Sequence, residues 1–435
     1  MKQIRTVFCS LVRLSISNSH RTGQLHYVRC PNRYAAHKGR RYIAARTAAI
    51  LFLSCIPSVR ADWPNFRGPK HDGISAETGF KKEWKDKIPQ VWERTLGSGF
   101  SSFGIVGDRL YTAGTKDKQQ TLYALNANTG AVIWEKPFEA EYPERQGGDG
   151  PRATPTIDGD HLYMLGAKGK LVCLKTADGS AVWSTQYSHM PTWGYSGSVL
   201  IEGNMAISSG GDDDGALVAY DKLTGKVLWK SGQDPPGYAT PYPFTFEGTR
   251  YIFGFNGNSA MIVEAATGKQ VWREEWITDY AVNAAAPIFH EGHLFLASGY
   301  QTGAALFKLA KDGDKLKGTQ VWRSEVLMNK FQSPVLHEGH LYASDQRDMK
   351  CVDFLTGNQV WKEKRVPNGT VLLADGHLVV LTEKGELQIA PATPRGYVPT
   401  TSVRILDGRC WTLPVIHQGK LYARDLEKMV CLDWK

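Results

Sequence analysis

Apolar and polar residues alternate along residues 122–134, LYALNANTGAVIW, up to an Asn-Thr-Gly turn, and the stretch then ends on a tryptophan. A period of two on either side of a glycine turn predicts two antiparallel β-strands joined by a tight hairpin. The pattern returns as LVCLKTADGSAVW (171–183), LVAYDKLTGKVLW (217–229), MIVEAATGKQVW (261–272) and CVDFLTGNQVW (351–361). A unit of this size buries its apolar face only against its neighbours, so the repeat predicts an array rather than independent domains.

A second hairpin can be followed independently. Glycine turns flanked by apolar strands stand at Gly107, Gly159, Gly203, Gly248, Gly292, Gly339, Gly376 and Gly419, which predicts eight units. Trp92, Trp134, Trp183, Trp229, Trp272, Trp322 and Trp361 are separated by 42, 49, 46, 43, 50 and 39 residues. That spacing matches the roughly 40 to 50 residues of a four-stranded propeller blade. The seventh unit lacks both the Thr-Gly turn and the tryptophan, with Leu406 at about the place of the latter. The eighth stops after its third strand, while Val91-Trp92 stands alone ahead of the first unit. The front strand is therefore expected to complete the last blade and close the ring, leaving no open sheet edges. The predicted fold is all-β: a single eight-bladed β-propeller over residues 91–435.

Charge changes the picture at the front of the chain only. The 435 residues carry a formal charge of +9, but residues 1–61 hold 11 Lys or Arg and no Asp or Glu, so the remainder is slightly acidic. This argues against nucleic acid as a partner of the body. Lys38, Arg40, Arg41 and Arg46 precede an apolar run at 47–56 and the small-residue site Val59-Arg60-Ala61. The order is that of a secretory signal peptide, with a mature chain from Asp62 and no transmembrane segment, the apolar run being too short to span a bilayer. Phe52-Leu53-Ser54 ahead of Cys55 fits a lipoprotein signal poorly, so simple cleavage and an exported, periplasmic or envelope location are expected. Residues 62–90 are rich in Pro, Gly and charge and hold Trp63, Phe66 and Trp84, which are costly to leave in water; they predict an ordered N-terminal arm. Cys173, Cys351 and Cys431 occupy equivalent places in their units and read as small core residues rather than disulfide partners.

Three constellations invite chemistry. The two His-Glu-Gly-His tetrapeptides at 290–293 and 337–340 fall on hairpin turns, with their histidines three apart rather than four apart on a helix, and read as turns. Asp212, Asp213 and Asp214 lack the spacing of a calcium loop and read as a charged loop. More informative are the residues just ahead of each innermost strand, GFSS (99–102), PRAT (151–154), TWGYSGS (192–198), GYAT (237–240), VNAAA (282–286), KFQS (330–333), NGT (368–370) and RCWT (409–412). In a propeller these meet at one mouth of the channel, which would gather Arg152, Trp193, Tyr195, Tyr238, Asn283, Gln332, Arg409 and Trp411 around one opening. Two guanidinium groups and several aromatic faces suit a planar, anionic or polyhydroxylated ligand. The alternative, aromatic side chains plugging the channel and arginines paired with acids, stays open at this point.

The unit G-x-LY…L-x-CL-x-x-x-TG-x-x-x-W resembles the pyrroloquinoline quinone (PQQ)-type propeller repeat, shared by quinoprotein alcohol dehydrogenases and the outer-membrane assembly factor BamB. The arm sequence DWPNFRGP (62–69) with Asp72-Gly73 is similar to the start of exported bacterial proteins of this class. The dehydrogenase branch implies a quinone stacked on a tryptophan, for which Trp193 or Trp411 would serve, calcium held by Glu, Asn and Asp, and a disulfide of adjacent cysteines. Asp279 with Asn283 could face such a cation, but no cysteines are adjacent and the calcium set has no residue-by-residue match. The BamB branch implies surface loops that bind envelope proteins, without a cofactor. The expectation is a monomeric binding or assembly module of the cell envelope, taking envelope proteins or a small polar ligand. The alternative is an oxidoreductase using PQQ and calcium on alcohols or sugars.

Overall fold

The computed structural model describes residues 62–435 except Arg347, Arg365 and Pro367, so the leader expected at 1–61 lies outside the described residues. Eight antiparallel sheets follow one another around a ring. Blade 1 runs from the channel outward as Gly104–Val106, Arg109–Lys116, Gln119–Asn126 and Val132–Ala140. The innermost strands of blades 2 to 8 are Thr156–Asp158, Leu200–Glu202, Tyr242–Phe246, Ile288–His290, Val335–His337, Thr370–Ala374 and Val415–His417. Blade 8 is completed by Gln90–Thr95, which pairs with Lys428–Asp433 and sets Trp92 opposite Cys431. The ring is thus closed by the front strand. Among the described residues no helix is long and apolar enough to cross a membrane.

The inner hairpins explain the glycines. In blades 4 to 8 the turn pairs a left-handed Glu, Asp or Gln with glycine, as at Glu291 (φ 47°) and Gly292 (φ 76°), the two-residue geometry whose twist matches that of its strands. Both His-Glu-Gly-His tetrapeptides are such turns. Asp212–Asp214 forms a short 3₁₀ turn between the second and third strands of blade 3.

The tryptophans join blade to blade. Each indole N–H reaches a carbonyl of the next blade's outer turn: Trp92 to Ala127 (2.8 Å), Trp134 to Thr176 (3.0 Å), Trp183 to Lys222 (2.9 Å), Trp229 to Ala265 (3.1 Å) and Trp322 to Phe354 (3.0 Å). The ring of Trp183 lies so close to Gly225 that a Cβ there would sit 2.7 Å from it, and Gly225 has a φ of +72°. The Thr-Gly turn and the tryptophan of the preceding blade are therefore one device, split between two units. Trp272 departs from it because the outer hairpin of blade 5, Gly303–Asp312 and Lys315–Ser324, is extended and meets the indole at Gly318.

Blade 7 corrects one expectation. Trp361 stands opposite Cys351, and in the equivalent register Ile389 faces Thr401, so Thr401 and not Leu406 holds the tryptophan's place. The next blade has no outer turn to receive an indole, because its fourth strand comes from the front of the chain. The arm fills the space instead. The Thr401 hydroxyl donates to the Lys82 carbonyl (2.9 Å) and accepts the Trp84 backbone N–H (2.9 Å), while Phe80 stacks on Trp434 at 5.3 Å. At the blade 8 to blade 1 junction, the buried Arg424 guanidinium donates to the carbonyls of Ser101 (3.1 Å) and Ala113 (2.8 Å).

Cys173, Cys351, Cys410 and Cys431 are free and buried. Burial pushes the Cys173 and Cys351 thiols up to about 11 and those of Cys410 and Cys431 up to about 12.

Candidate functional site

The first stretch of the arm crosses the ring. Trp63 exchanges two backbone hydrogen bonds of 2.8 Å with Ile105 of blade 1, and the Pro64 carbonyl accepts from Ile157 of blade 2. Ile74–Ser75 then pairs in parallel with Leu373 and Ala374 of blade 7. Between these anchors Arg67 is buried in the channel, donating to the carbonyls of Pro334 (2.6 Å), Ser333 (3.3 Å) and Asp72 (2.6 Å). Burial lowers its pKa to about 10 despite the nearby Asp72 carboxylate, so it stays charged and is satisfied by backbone oxygens alone. Gly68 makes the sharp return possible: its φ is +79°, and a Cβ there would lie 2.8 Å from the Trp63 ring.

Above this strap a belt of hydroxyls ties the blades together. Thr154 N–H donates to Ser198 Oγ (2.9 Å), Ser198 N–H to Thr240 Oγ1 (2.9 Å) and Ala286 N–H to Ser333 Oγ (2.9 Å). Thr412 Oγ1 donates to the Phe100 carbonyl (3.2 Å) and Ser102 Oγ to that of Leu413 (2.8 Å). In most blades the small hydroxylic residue before the inner strand is thus a blade-to-blade tie; blade 5, which has alanines there, joins through the Ala286 N–H.

The belt and Phe66 of the arm bound a cavity of about 270 Å³ that opens at the other mouth. Its walls are two aromatic arcs. From blades 3 to 5 come Trp193, 6.3 Å from Tyr238 and 5.3 Å edge-on to Tyr280, and Tyr280 in turn lies 5.8 Å from Tyr300. From blades 6, 8 and 1 come Phe331, Trp411 and Phe100, with Trp411 centred 4.7 Å from Phe331 and stacked 5.1 Å from Phe100. Lys330 places its ammonium 4.8 Å over Tyr300, and Arg409 lies 4.7 Å over Trp411.

The cavity's one carboxylate among the described residues is committed to its own loop. Glu144 accepts backbone N–H groups from Gln146 (2.7 Å), Gly147 and Gly148 (3.2 Å), and stands 3.7 Å from Arg152. Partial burial pushes its pKa up, but the three N–H donors and Arg152 outweigh this and hold it below the ordinary carboxylate range. Arg152 spends its own donors on the carbonyls of Gly150 (2.7 Å) and Gly148 (2.9 Å), and burial lowers its pKa.

Of the eight residues picked out in the sequence, Arg152, Trp193, Tyr238 and Trp411 line this cavity. Arg409 sits at the rim, donating to the carbonyls of Gln146 (3.0 Å) and Gly147 (2.5 Å). Tyr195, Asn283 and Gln332 turn away into the blades. The Tyr195 hydroxyl donates to the carbonyls of His189 (2.8 Å) and Gly210. The Asn283 amide donates to Asn256 (2.7 Å) and Trp276 (3.1 Å), and its oxygen accepts from Ser298 (2.8 Å). Gln332 donates to Asn368 Oδ1 (3.2 Å). Neighbours in these loops part to opposite sides: Phe331 faces in and Gln332 out, Ala284 in and Asn283 out. Alternation within VNAAA was a signal that could have selected Val282 and Ala284 over Asn283, whereas in KFQS the consecutive Lys330 and Phe331 both reach the cavity. Phe66, Glu144 and Tyr300 lie outside those stretches.

The donor set fits a calcium-held quinone poorly. Asp279 is exposed while both ends of the Asn283 amide are occupied within the blade, so the two do not converge. Among the described residues no cluster of three or more His, Cys, Asp or Glu is placed to hold a metal ion.

The family model of the outer membrane protein assembly factor BamB matches residues 77–149, 118–317 and 310–393. A BamB from Salmonella typhimurium is 24% identical over 363 residues, covering 68% of this chain and 86% of that protein. A polyvinylalcohol dehydrogenase from Sphingopyxis is 29% identical over 210 residues, 42% of this chain; the match spans only 28% of the dehydrogenase. Among solved structures, BamB from Moraxella catarrhalis is similar over 80% of this chain and 100% of its own, with a TM-score of 0.59 at 15% identity. Quinohemoprotein alcohol dehydrogenase ADHIIG from Pseudomonas putida is similar over 86% of this chain and 80% of its own, with a TM-score of 0.61 at 12% identity.

Proposed function

The chain belongs to the family of the outer membrane protein assembly factor BamB, and from that premise we propose that it is an exported binding module of the cell envelope. It holds a ligand or a segment of an envelope protein in the aromatic cavity at the open mouth of its ring, and carries out no chemistry there. The observation that carries this reading is the cavity itself: aromatic walls, the cations Arg152, Lys330 and Arg409 at the wall and rim, and a floor made from the chain's own arm. Such a concave, mostly apolar site with a few convergent polar groups is what small-molecule and segment recognition requires.

The dehydrogenase match favours a second reading, an oxidoreductase with PQQ and calcium. Under it Trp193 or Trp411 would stack on the quinone and Arg152 and Lys330 would face its carboxylates; Glu144, held by its loop, would have to leave that loop to meet a cation. The two readings separate in a thermal-shift titration of the purified protein with PQQ, with and without calcium. A ligand selective for the folded state raises Tm with concentration by mass action. The binding-module reading expects no saturable shift. A saturable, calcium-dependent shift lost in Trp193→Ala or Trp411→Ala would replace it with the oxidoreductase.

A further inference from the structure

Three features of the open mouth remain after the fold is accounted for. The first is charge. Glu144 is occupied by three backbone N–H groups and Arg152, whereas Lys330 and Arg409 have no carboxylate within ion-pair distance among the described residues and lie over aromatic faces instead. The cavity is therefore positive, and Lys330 is the cation with the fewest protein partners.

The second is the backbone that carries two of the rings. Tyr280 (φ 60°) and Ala281 (φ 59°) are consecutive left-handed residues, and so are Tyr300 (φ 53°) and Gln301 (φ 62°). Tyr300 and Gln301 are the central pair of the hairpin turn closed by the Thr302 N–H on the Gly299 carbonyl, the two-residue geometry found also at Asp117 and Lys118. Tyr280 and Ala281 hold this conformation outside a hairpin, where non-glycine residues seldom adopt it. Both pairs present a tyrosine to the arc that runs from Trp193 to Lys330. Tyr280 is 64% exposed, so this arc continues the cavity wall outward into solvent.

The third is the mixture of surfaces. Hydroxyl-bearing Thr154, Ser196, Thr240 and Thr412 share the cavity with the aromatic rings. Ser196, Thr240 and Thr412 also tie neighbouring blades, and their oxygens keep lone pairs able to accept from a sugar hydroxyl. A flat apolar face beside hydroxyls matches a sugar ring, which has C–H faces for the aromatics and an edge of hydroxyls for the polar groups. At about 270 Å³ the cavity is just below the range of roughly 300–1,000 Å³ of small-molecule sites, room for a unit of a chain rather than a large ligand.

We propose that the mouth binds an acidic saccharide: one uronic acid residue occupies the cavity with its carboxylate on Lys330 Nζ, and the next residues of the chain run out over Tyr280. This inference rests on the binding-module reading and names the ligand class of the same site.

The test is a tryptophan-fluorescence titration of the purified protein with trigalacturonate and with its uncharged counterpart galactotriose, at low and high salt. Saturable quenching by the acid is expected, with galactotriose weaker by roughly tenfold or more, the scale of a charge-assisted contact. Lys330→Gln should bring the acid down to the level of the neutral sugar and remove its salt dependence, while Lys330→Arg retains the preference. Tyr280→Gly should weaken both sugars without lowering Tm, a combination a merely structural tyrosine would not give. Equal affinities for the two sugars, an unaffected Lys330→Gln, or no sugar binding at all would overturn the proposal. If, in that last case, a photo-crosslinking residue placed at position 280 captures an envelope protein, the binding-module reading stands and only the saccharide fails; if it captures none, both fail.

Discussion

The two mouths of the channel are built from the same repeat, yet the chain treats them in opposite ways. At one, Trp63, Arg67 and Gly73 strap blades 1 and 2 to blades 6 and 7, and a buried guanidinium is satisfied wholly by backbone carbonyls. At the other, aromatic rings and the cations of Arg152, Lys330 and Arg409 surround a space that none of the described residues fills. The repeat makes the ring; what lies outside it, the arm and the loops between blades, makes one mouth closed and the other receptive.

The largest break in this contrast should come from Arg67→Met. Three backbone carbonyls would lose a charged donor inside the protein, at roughly 1 kcal/mol each, for a loss of about 3 kcal/mol in urea unfolding. An equal loss for a variant at the exposed Arg409 would show that the closed mouth is not special.

The strap should also respond to acid. Burial, assisted by Arg250 and Arg67, lowers the His71 pKa to about 4 although Glu202 pulls the other way. The unfolded chain therefore takes up the proton first. Stability is fully present above the ordinary histidine pKa near 6.5 and is lost progressively as pH falls towards 4, by an amount of order 2 kcal/mol. Tm measured between pH 7 and 4 checks this, and His71→Gln should flatten the slope.

At the open mouth the same kind of truncation should matter little for folding. Trp193→Ala and Trp411→Ala remove half-buried rings and should each cost about 1 kcal/mol, while abolishing binding in the cavity. Smallest of all, Tyr280→Gly relieves a left-handed tyrosine but loosens the unfolded chain, leaving stability within a few tenths of a kcal/mol.

This division also explains what could be read from the sequence. Each blade repeats the same physical problem, so periodicity, turn glycines and tryptophan spacing disclosed the eight units and the closing strand. The site was legible in part: Trp193, Trp411, Tyr238 and Arg152 stand in the loops before inner strands and do line the cavity. Tyr195, Asn283 and Gln332 occupy similar loops but spend their polar atoms inside the blades. The irregular loop backbone, in which the neighbours Lys330 and Phe331 both face the cavity, has no fixed period from which this could be read. Phe66 and Tyr300 were beyond reach, because one arrives from the arm across the ring and the other from a turn between the second and third strands of blade 5. Thr401 shows the same limit, since its place opposite Ile389 depends on a register that the altered seventh unit hides.

The most direct test of the account places one photo-crosslinking residue at Tyr280 and, in a second variant, at Lys70, both exposed but at opposite mouths. The account predicts adducts with envelope components from position 280, lost when Trp193→Ala and Trp411→Ala are added, and none from position 70. Adducts from position 70 alone, or equal adducts from both that survive the two substitutions, would contradict it.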